Sequence, residues 1–381
     1  MMTEKLSQRI NSIDLMRGLV MLIMLVDHVR ERFFLHMQVS DPMDIDTTSA
    51  GLFFSRFAAH FCAPAFVFLT GVSAWLYAST GRNLSGFLIK RGLFLILLEL
   101  TLVTFSWMGT YHTIWLQVIW AIGLCMIVLG LLHRLPFTLL LTLGLVIVFG
   151  HNLLTPIGFA TDDSLYPIWT ILHDRGFLIT SDVINLKVSY PVLPWIGVIL
   201  LGFCTGPLFC STVTSKERKT AFLRLGLFSL VLFAVLRGLN IYGEPSAWQL
   251  QGSLLLNLMD LFNLTKYPPS LAFLLITLGG MFLVLRLAES DLISKRQRLI
   301  AVLTGFGAAP MFFYLLHLYA LLLINSTLHL FMEPNHGELF GVNHIGWIWL
   351  IAAILAIALY WPTKSFARIK RKSNIKLLSY L

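Results

Sequence analysis

Apolar runs of 18 or more residues recur along this chain, and no other feature limits its folding so strongly. A run of that length crosses a bilayer as a helix, because in lipid every backbone N–H and C=O must be satisfied within the segment. Ten spans are expected, at roughly 13–35, 52–79, 85–106, 113–133, 135–150, 192–212, 219–240, 269–289, 307–331 and 346–363, with 135–150 the shortest. Across 381 residues, 57% are apolar and only 12% charged, which excludes the soluble classes. The expected fold class is therefore all-α, a polytopic integral membrane protein, read as one domain over residues 1–381. The first span follows Lys5 and Arg9 as a signal peptide would. Its early Arg17, its Asp27-His28 end and the lack of a nearby small-residue cleavage site argue that it stays in place.

Basic residues set the expected orientation. One side of the membrane receives Lys5, Arg9, Arg17, Arg82, Lys90, Arg91, Arg134, Lys216, Arg218, Lys219 and Arg224. It also receives Arg286, Lys295, Arg296, Arg298 and the tail from Lys364 to Lys376. The other side holds only Arg30, Arg32, Arg56, Arg175, Lys187, Arg237 and Lys266. The positive-inside rule then places both termini in the cytoplasm, with a multi-pass protein in a bacterial inner membrane as the expected location. The net charge of +9 follows from this bias. A juxtamembrane basic tail suits anionic membrane lipid, so no nucleic-acid partner is expected. Cys62, Cys125, Cys204 and Cys210 fall within spans and form no CxxC pair, so neither a disulfide framework nor a metal site is indicated.

The first span is unusual in carrying ionisable residues at both ends, Asp14 and Arg17 at one and Asp27 and His28 at the other. Arg17 and His28 are eleven residues apart, which at 100° per residue returns to within about 20° of one helix face, and separates them by about 16 Å. Met21 and Met24 lie on nearly the same stripe. Lipid offers such a face nothing, so it is expected to point into the protein.

An Arg, ten residues and a His on the first membrane helix resembles membrane acyltransferases that O-acetylate cell-envelope polysaccharides. The wider pattern is closer to a related group. Ser-Ile-Asp-Leu-Met-Arg-Gly-Leu at 12–19 and Ala-Pro-Ala-Phe-Val-Phe-Leu-Thr-Gly at 63–71 resemble the catalytic-domain family of heparan-alpha-glucosaminide N-acetyltransferase, in its bacterial members. So do Trp115-Leu116-Gln117, Tyr190-Pro191-Val192-Leu193-Pro194-Trp195-Ile196-Gly197, Lys266-Tyr267-Pro268-Pro269-Ser270 and Phe313-Tyr314-Leu315-Leu316-His317. The resemblance implies acyl-CoA bound from the cytoplasm and an acyl group transferred to a glycan or similar acceptor outside. One position departs from the family. The human-type enzyme, as we align it, uses a His in the loop before the second helix, whereas this chain has none between His36 and His60. Its His28 matches the O-acetylase pattern instead, so both hydroxyl and amine acceptors stay open.

The residues themselves suit that chemistry. An anionic donor, acetyl-CoA or another acyl-CoA, needs cations at the inner face, for which Arg17, Lys90 and Arg91 are placed. A thin pantetheine arm along the Arg17–His28 stripe would bring the thioester to His28, an imidazole able to take a proton from the acceptor or to accept the acyl group itself. His60 is the reserve candidate. Asp27 and Glu99 complete the catalytic set. Asp27 is about 100° from His28 around the helix, so an acid from another helix such as Glu99 is the better orienter. Arg56, Gln117, Lys266 and His317 are the candidate acceptor-side contacts, since a cation or an amide stabilises a developing oxyanion. Long outer loops rich in aromatics and amides, about 151–191 and 241–268, suit a polar or sugar-like acceptor and equally an interfacial aromatic belt. A Arg56–Glu99 pair joining two helices is a structural alternative for those residues. A transporter of a polar or anionic small molecule is the alternative function, and a homodimer remains open.

The orientation has a direct check. Cysteines introduced one at a time into the N-terminus, the 213–219 and 290–298 loops and the C-terminal tail are expected to resist an impermeant thiol reagent applied to intact cells. Labelling at any of these positions overturns the orientation.

Overall fold

Residues 11–373, 375, 378 and 380 are described in the computed structural model, so Lys5 and Arg9 of the expected cytoplasmic N-terminus and Lys376 of the tail lie outside the described residues. Among the described residues, six helices are long and apolar enough to cross a membrane: Ala50–Ala78, Phe137–Leu154, Ser215–Gly238, Leu271–Ala288, Pro310–Phe331 and Ile345–Lys372. The expected count of ten is not established, and each of the other four spans has a physical reason for standing apart. The first forms a 23-residue helix, Asn11–Phe33, but carries charges at both ends. The 85–106 span is interrupted after Leu98 by a π-helical turn, Glu99–Val103. The 113–133 span begins as a β-strand, Thr113–Leu116, before the helix Val118–Leu132. The 192–212 span runs as a short helix, Leu193–Thr205, closed by a 3-10 turn over Gly206–Phe209.

The chain divides into two compact units. One comprises Ala63–Trp248 and Leu264–Arg286; the other comprises Asn11–Cys62, Gln249–Asn263 and the chain from Leu287 onward. In the first unit the helix Leu84–Leu98 packs against Val118–Leu132 with two glycines face to face. A Cβ placed on Gly92 would lie 2.5 Å from the carbonyl oxygen of Gly123, and one on Gly123 would lie 2.7 Å from that of Gly92. Helices in lipid gain little from burying more apolar surface, so such backbone proximity supplies much of the van der Waals attraction that holds them.

The same unit contains a small sheet that hydropathy did not disclose. Thr113–Leu116 pairs in parallel with Asn185–Val188, and Gly176–Ile179 pairs with Asn185–Val188 in antiparallel fashion. Lys187 is opposite both Trp115 and Phe177, and its Nζ lies 4.8 Å from each ring centroid. An ammonium between two π-faces is a favourable cross-strand arrangement.

In the second unit, Asn11–Phe33 crosses Gln297–Gly307 and also packs on Pro310–Phe331 and Ile345–Lys372. At the first crossing, Gly18 faces Leu303 and Gly307 faces Asp14. A Cβ on either glycine would sit 1.9 Å from the opposing backbone carbonyl oxygen. The loop before the second helix is tied down by Asn263, which accepts from the Met43 N–H at 2.8 Å and donates to its carbonyl at 2.6 Å. Beneath it Met43, Phe53 and Met259 form a buried cluster. The second helix, Ala50–His60, gives way at Phe61 to Cys62–Ala78. Pro64 explains the interruption, since it has no N–H to offer the His60 carbonyl four residues earlier.

The Gly18 contact is one that no side-chain adjustment relieves, because the obstructing atom is backbone. Gly18→Val is therefore expected to lower the melting temperature of the detergent-purified protein, at a cost of at least about 1–3 kcal/mol. Gly150→Ala, where an added Cβ meets nothing within 4 Å, is the control and should melt within a degree or two of the parent. Equal melting of Gly18→Val and the parent would show that the two helices do not approach so closely.

Candidate functional site

The face running from Arg17 to His28 is turned inward: Met21 and Met24 are buried, as are Asp27 and His28, while Arg17 is half-buried. At its first end Arg17 Nη1 lies 3.4 Å from Asp14 Oδ1, one helical turn earlier. Ser12, two residues before Asp14, donates its Oγ–H to Glu289 Oε1 at 3.0 Å. The guanidinium thus keeps a nearby carboxylate at the edge of the helix, where an anionic ligand would have to compete with it.

The other end is more tightly organised. Asp27 Oδ1 accepts from Arg30 Nε at 2.9 Å, and Asp27 Oδ2 accepts from Arg56 Nη1 at 2.9 Å. All three side chains are less than a tenth exposed. Arg30 also reaches Glu31 Oε1 at 3.0 Å, which brings the count to two carboxylates and two guanidiniums. Charges of this kind are costly to bury singly and tolerable when grouped and hydrogen-bonded. Arg56 thereby finds a carboxylate on the first helix, and both oxygens of Asp27 accept from guanidiniums.

His28 has a partner of its own. Its Nδ1 lies 2.7 Å from Nε2 of His317, with the two rings edge to edge, 5.0 Å between centroids and 23° between planes. His317 Nδ1 in turn lies 2.7 Å from the carbonyl oxygen of Phe313, one helical turn before it on Pro310–Phe331. Tyr314 closes the group edge-on, 5.7 Å from the His28 ring. An imidazole thus occupies the orienting position for which a carboxylate was expected. No single-sequence signal marks that pairing, because 289 residues separate its members. His60 is buried at the end of Ala50–His60, with Phe57 edge-on at 5.9 Å.

The remaining candidates belong to the first unit. Glu99 opens the π-helical turn and is buried; its Oε2 accepts the Trp120 N–H at 2.9 Å. Trp120 lies in the first turn of Val118–Leu132, so this carboxylate caps the helix from outside and meets its positive end. Gln117 is the residue just before that helix and its own side chain makes no capping bond. Lys90 is exposed and Arg91 half-buried on Leu84–Leu98, with the Arg91 guanidinium 5.9 Å from the Phe87 ring. Lys266 is buried, its Nζ 5.1 Å from the Tyr267 ring and 6.0 Å from that of Tyr190. Arg175 lies over the same Tyr267 ring at 4.7 Å. Among the described residues, no group of three or more His, Cys, Asp or Glu is arranged to hold a metal ion.

The Asp27 cluster predicts strong coupling. Arg56→Met is expected to destabilise the detergent-purified protein and Asp27→Asn to do the same, with the double variant falling short of the sum by about 0.5–3 kcal/mol. Additive losses across this double-mutant cycle in thermal unfolding would show that the pair contributes nothing of its own.

Comparison with known proteins adds one finding. A family model described as heparan-alpha-glucosaminide N-acetyltransferase, catalytic, matches residues 9–242 of the 381. That interval includes Arg17, Asp27, His28, Arg56, His60, Lys90, Arg91, Glu99 and Gln117, and leaves Lys266 and His317 beyond it. A search of curated proteins gives no match.

Proposed function

The chain belongs to the heparan-alpha-glucosaminide N-acetyltransferase catalytic family, and from that premise we propose that it transfers an acetyl group from cytoplasmic acyl-CoA to a hydroxyl or amine of an extracytoplasmic glycan. The family implies a membrane acetyltransferase; the donor, its side of entry, the bacterial inner membrane and the acceptor class are our reading. The observation that carries it is the first helix. A guanidinium and an imidazole end one inward face, with the methionines Met21 and Met24 lying buried between them.

In this reading Arg17 draws the donor's phosphates to the inner face, displacing its contact with Asp14, and Lys90 and Arg91 add positive charge there. The pantetheine arm follows the methionines, and its thioester reaches His28. His28 takes the proton of the attacking hydroxyl or amine and returns it to the leaving thiolate, a task suited to an imidazole, which can both accept and donate a proton. Asp27, held by Arg30 and Arg56, keeps the helix in register and is a positioning residue. Glu99 positions Gln117 and the start of Val118–Leu132 by capping that helix, and Gln117, Lys266 and Arg56 supply polar contacts to the acceptor or the oxyanion. His60 is the alternative base. The whole chain acts as one acyltransferase.

Two substitutions separate donor binding from chemistry. Arg17→Ala is expected to weaken CoA binding at least several-fold in calorimetry while the protein stays folded, and Lys to restore it only in part, because a planar fork is lost. His28→Gln is expected to bind CoA normally and to lose transfer of labelled acetyl by about 10²–10⁴-fold. Full activity in His28→Gln with loss in His60→Gln moves the base to the second helix, and full activity in both removes the acyltransferase assignment of these residues.

A further inference from the structure

We infer that His317 is a positioning residue that fixes His28 as the Nδ1–H tautomer, and so makes His28 Nε2 the atom that receives the acceptor's proton. The inference rests on the reading of His28 as the base. It starts at a backbone atom. The Phe313 carbonyl only accepts hydrogen bonds, so His317 Nδ1, 2.7 Å away, carries the proton that fills this contact. A neutral imidazole has one N–H, which leaves His317 Nε2 as a lone-pair acceptor. The nitrogen 2.7 Å from it, His28 Nδ1, must then donate. His28 in its neutral form has no second N–H, so its lone pair sits on Nε2. One carbonyl thus sets the proton positions on two rings in sequence.

The fixed points are well held. His317 is fully buried and His28 is 9% exposed. The Phe313 carbonyl belongs to the same helix as His317, Pro310–Phe331, and Phe313 packs at 5.1 Å from the His317 ring. Tyr314 is edge-on to both imidazoles, 5.7 Å from His28 and 5.6 Å from His317, which limits rotation of either ring. The nearest acid in sequence, Asp27, is held by Arg30 and Arg56.

The chemistry follows with its atoms balanced. The acceptor's oxygen or nitrogen bonds to the thioester carbonyl carbon while its proton moves to His28 Nε2. The carbon–sulfur bond then breaks, and the thiolate takes that same proton from Nε2. The acceptor gains the acyl group, the thiol gains the acceptor's proton, and nothing is oxidised or reduced. While His28 carries the extra proton its Nδ1–H still points at the lone pair of a neutral His317, so this hydrogen bond is kept throughout the transfer. His317 needs no contact with either substrate for this.

The test uses the full-length protein in lipid with ¹⁵N-labelled histidine rings, the His28 signals identified by their loss in His28→Gln. Wild type should show His28 with a protonated Nδ1 and an unprotonated Nε2. In His317→Leu, where the acceptor is gone, the His28 tautomer should shift toward Nε2–H. Transfer should fall about a hundredfold in kcat with the KM for acyl-CoA within a factor of two. His317→Gln offers an amide oxygen to the same N–H and should keep the wild-type tautomer and recover at least a tenth of the rate. A His28 signal with protonated Nε2 in wild type overturns the inference while leaving His28 as the base, and needs no variant to fold. Wild-type transfer in a folded His317→Leu overturns it equally. An active His28→Gln removes the base itself and the inference with it, whatever the spectrum.

Discussion

The Asp27 carboxylate, shared between Arg30 and Arg56, is the contact on which the second unit's arrangement depends. Three charges buried together have little freedom, because any one of them moved away leaves the others exposed to a low dielectric without compensation. Asp27 and Arg30 lie a turn apart on one helix and Arg56 on the next, so the cluster fixes how Asn11–Phe33 rotates against Ala50–His60. His28 follows Asp27 immediately, about 100° around the same helix. With Asp27 bonded to Arg56 of the second helix, His28 of the next position meets His317 of Pro310–Phe331. A buried ion cluster, often a poor source of stability, here sets the direction of the neighbouring imidazole.

A related economy governs the first unit. Glu99 is a buried carboxyl group whose Oε2 accepts the Trp120 N–H in the first turn of another helix, while its Oε1 meets no hydrogen-bond donor among the described residues. The π-helical turn that begins at Glu99 inserts an extra residue in that stretch, and Thr104 Oγ1 returns a hydrogen bond to the Glu99 carbonyl at 2.7 Å. The widened turn and the donated hydroxyl together accommodate a backbone that departs from the α-helical pattern.

The parts legible in the sequence were those that depend on spacing along one element. The inward face of the first helix followed from eleven residues at 100° each, and the long apolar helices followed from hydropathy. What escaped is equally specific. Thr113-Ile-Trp-Leu116 is apolar throughout and only four residues long, so no periodicity distinguishes a strand from the start of a helix. The contact of Glu99 escaped because its partner is a backbone N–H, which every residue but proline possesses. The pairing of His317 escaped because its partner is far away in sequence, and the close approach of Gly18 to Leu303 likewise belongs to two helices that only folding brings together.

That distance in sequence has a consequence for how the protein is made. The second unit is assembled from residues 11–62, a short middle piece and the chain beyond 286, and most of the first unit's sequence falls between these pieces. His28 enters the membrane early in synthesis, yet its imidazole partner emerges 289 residues later. Until then the nascent chain holds one histidine of the pair and the entire Asp27 cluster, without the ring that completes the arrangement. A ribosome that stalls before residue 317 leaves an inserted but chemically unfinished protein. The His28–His317 contact is thus completed only when the last helices of the chain have been made.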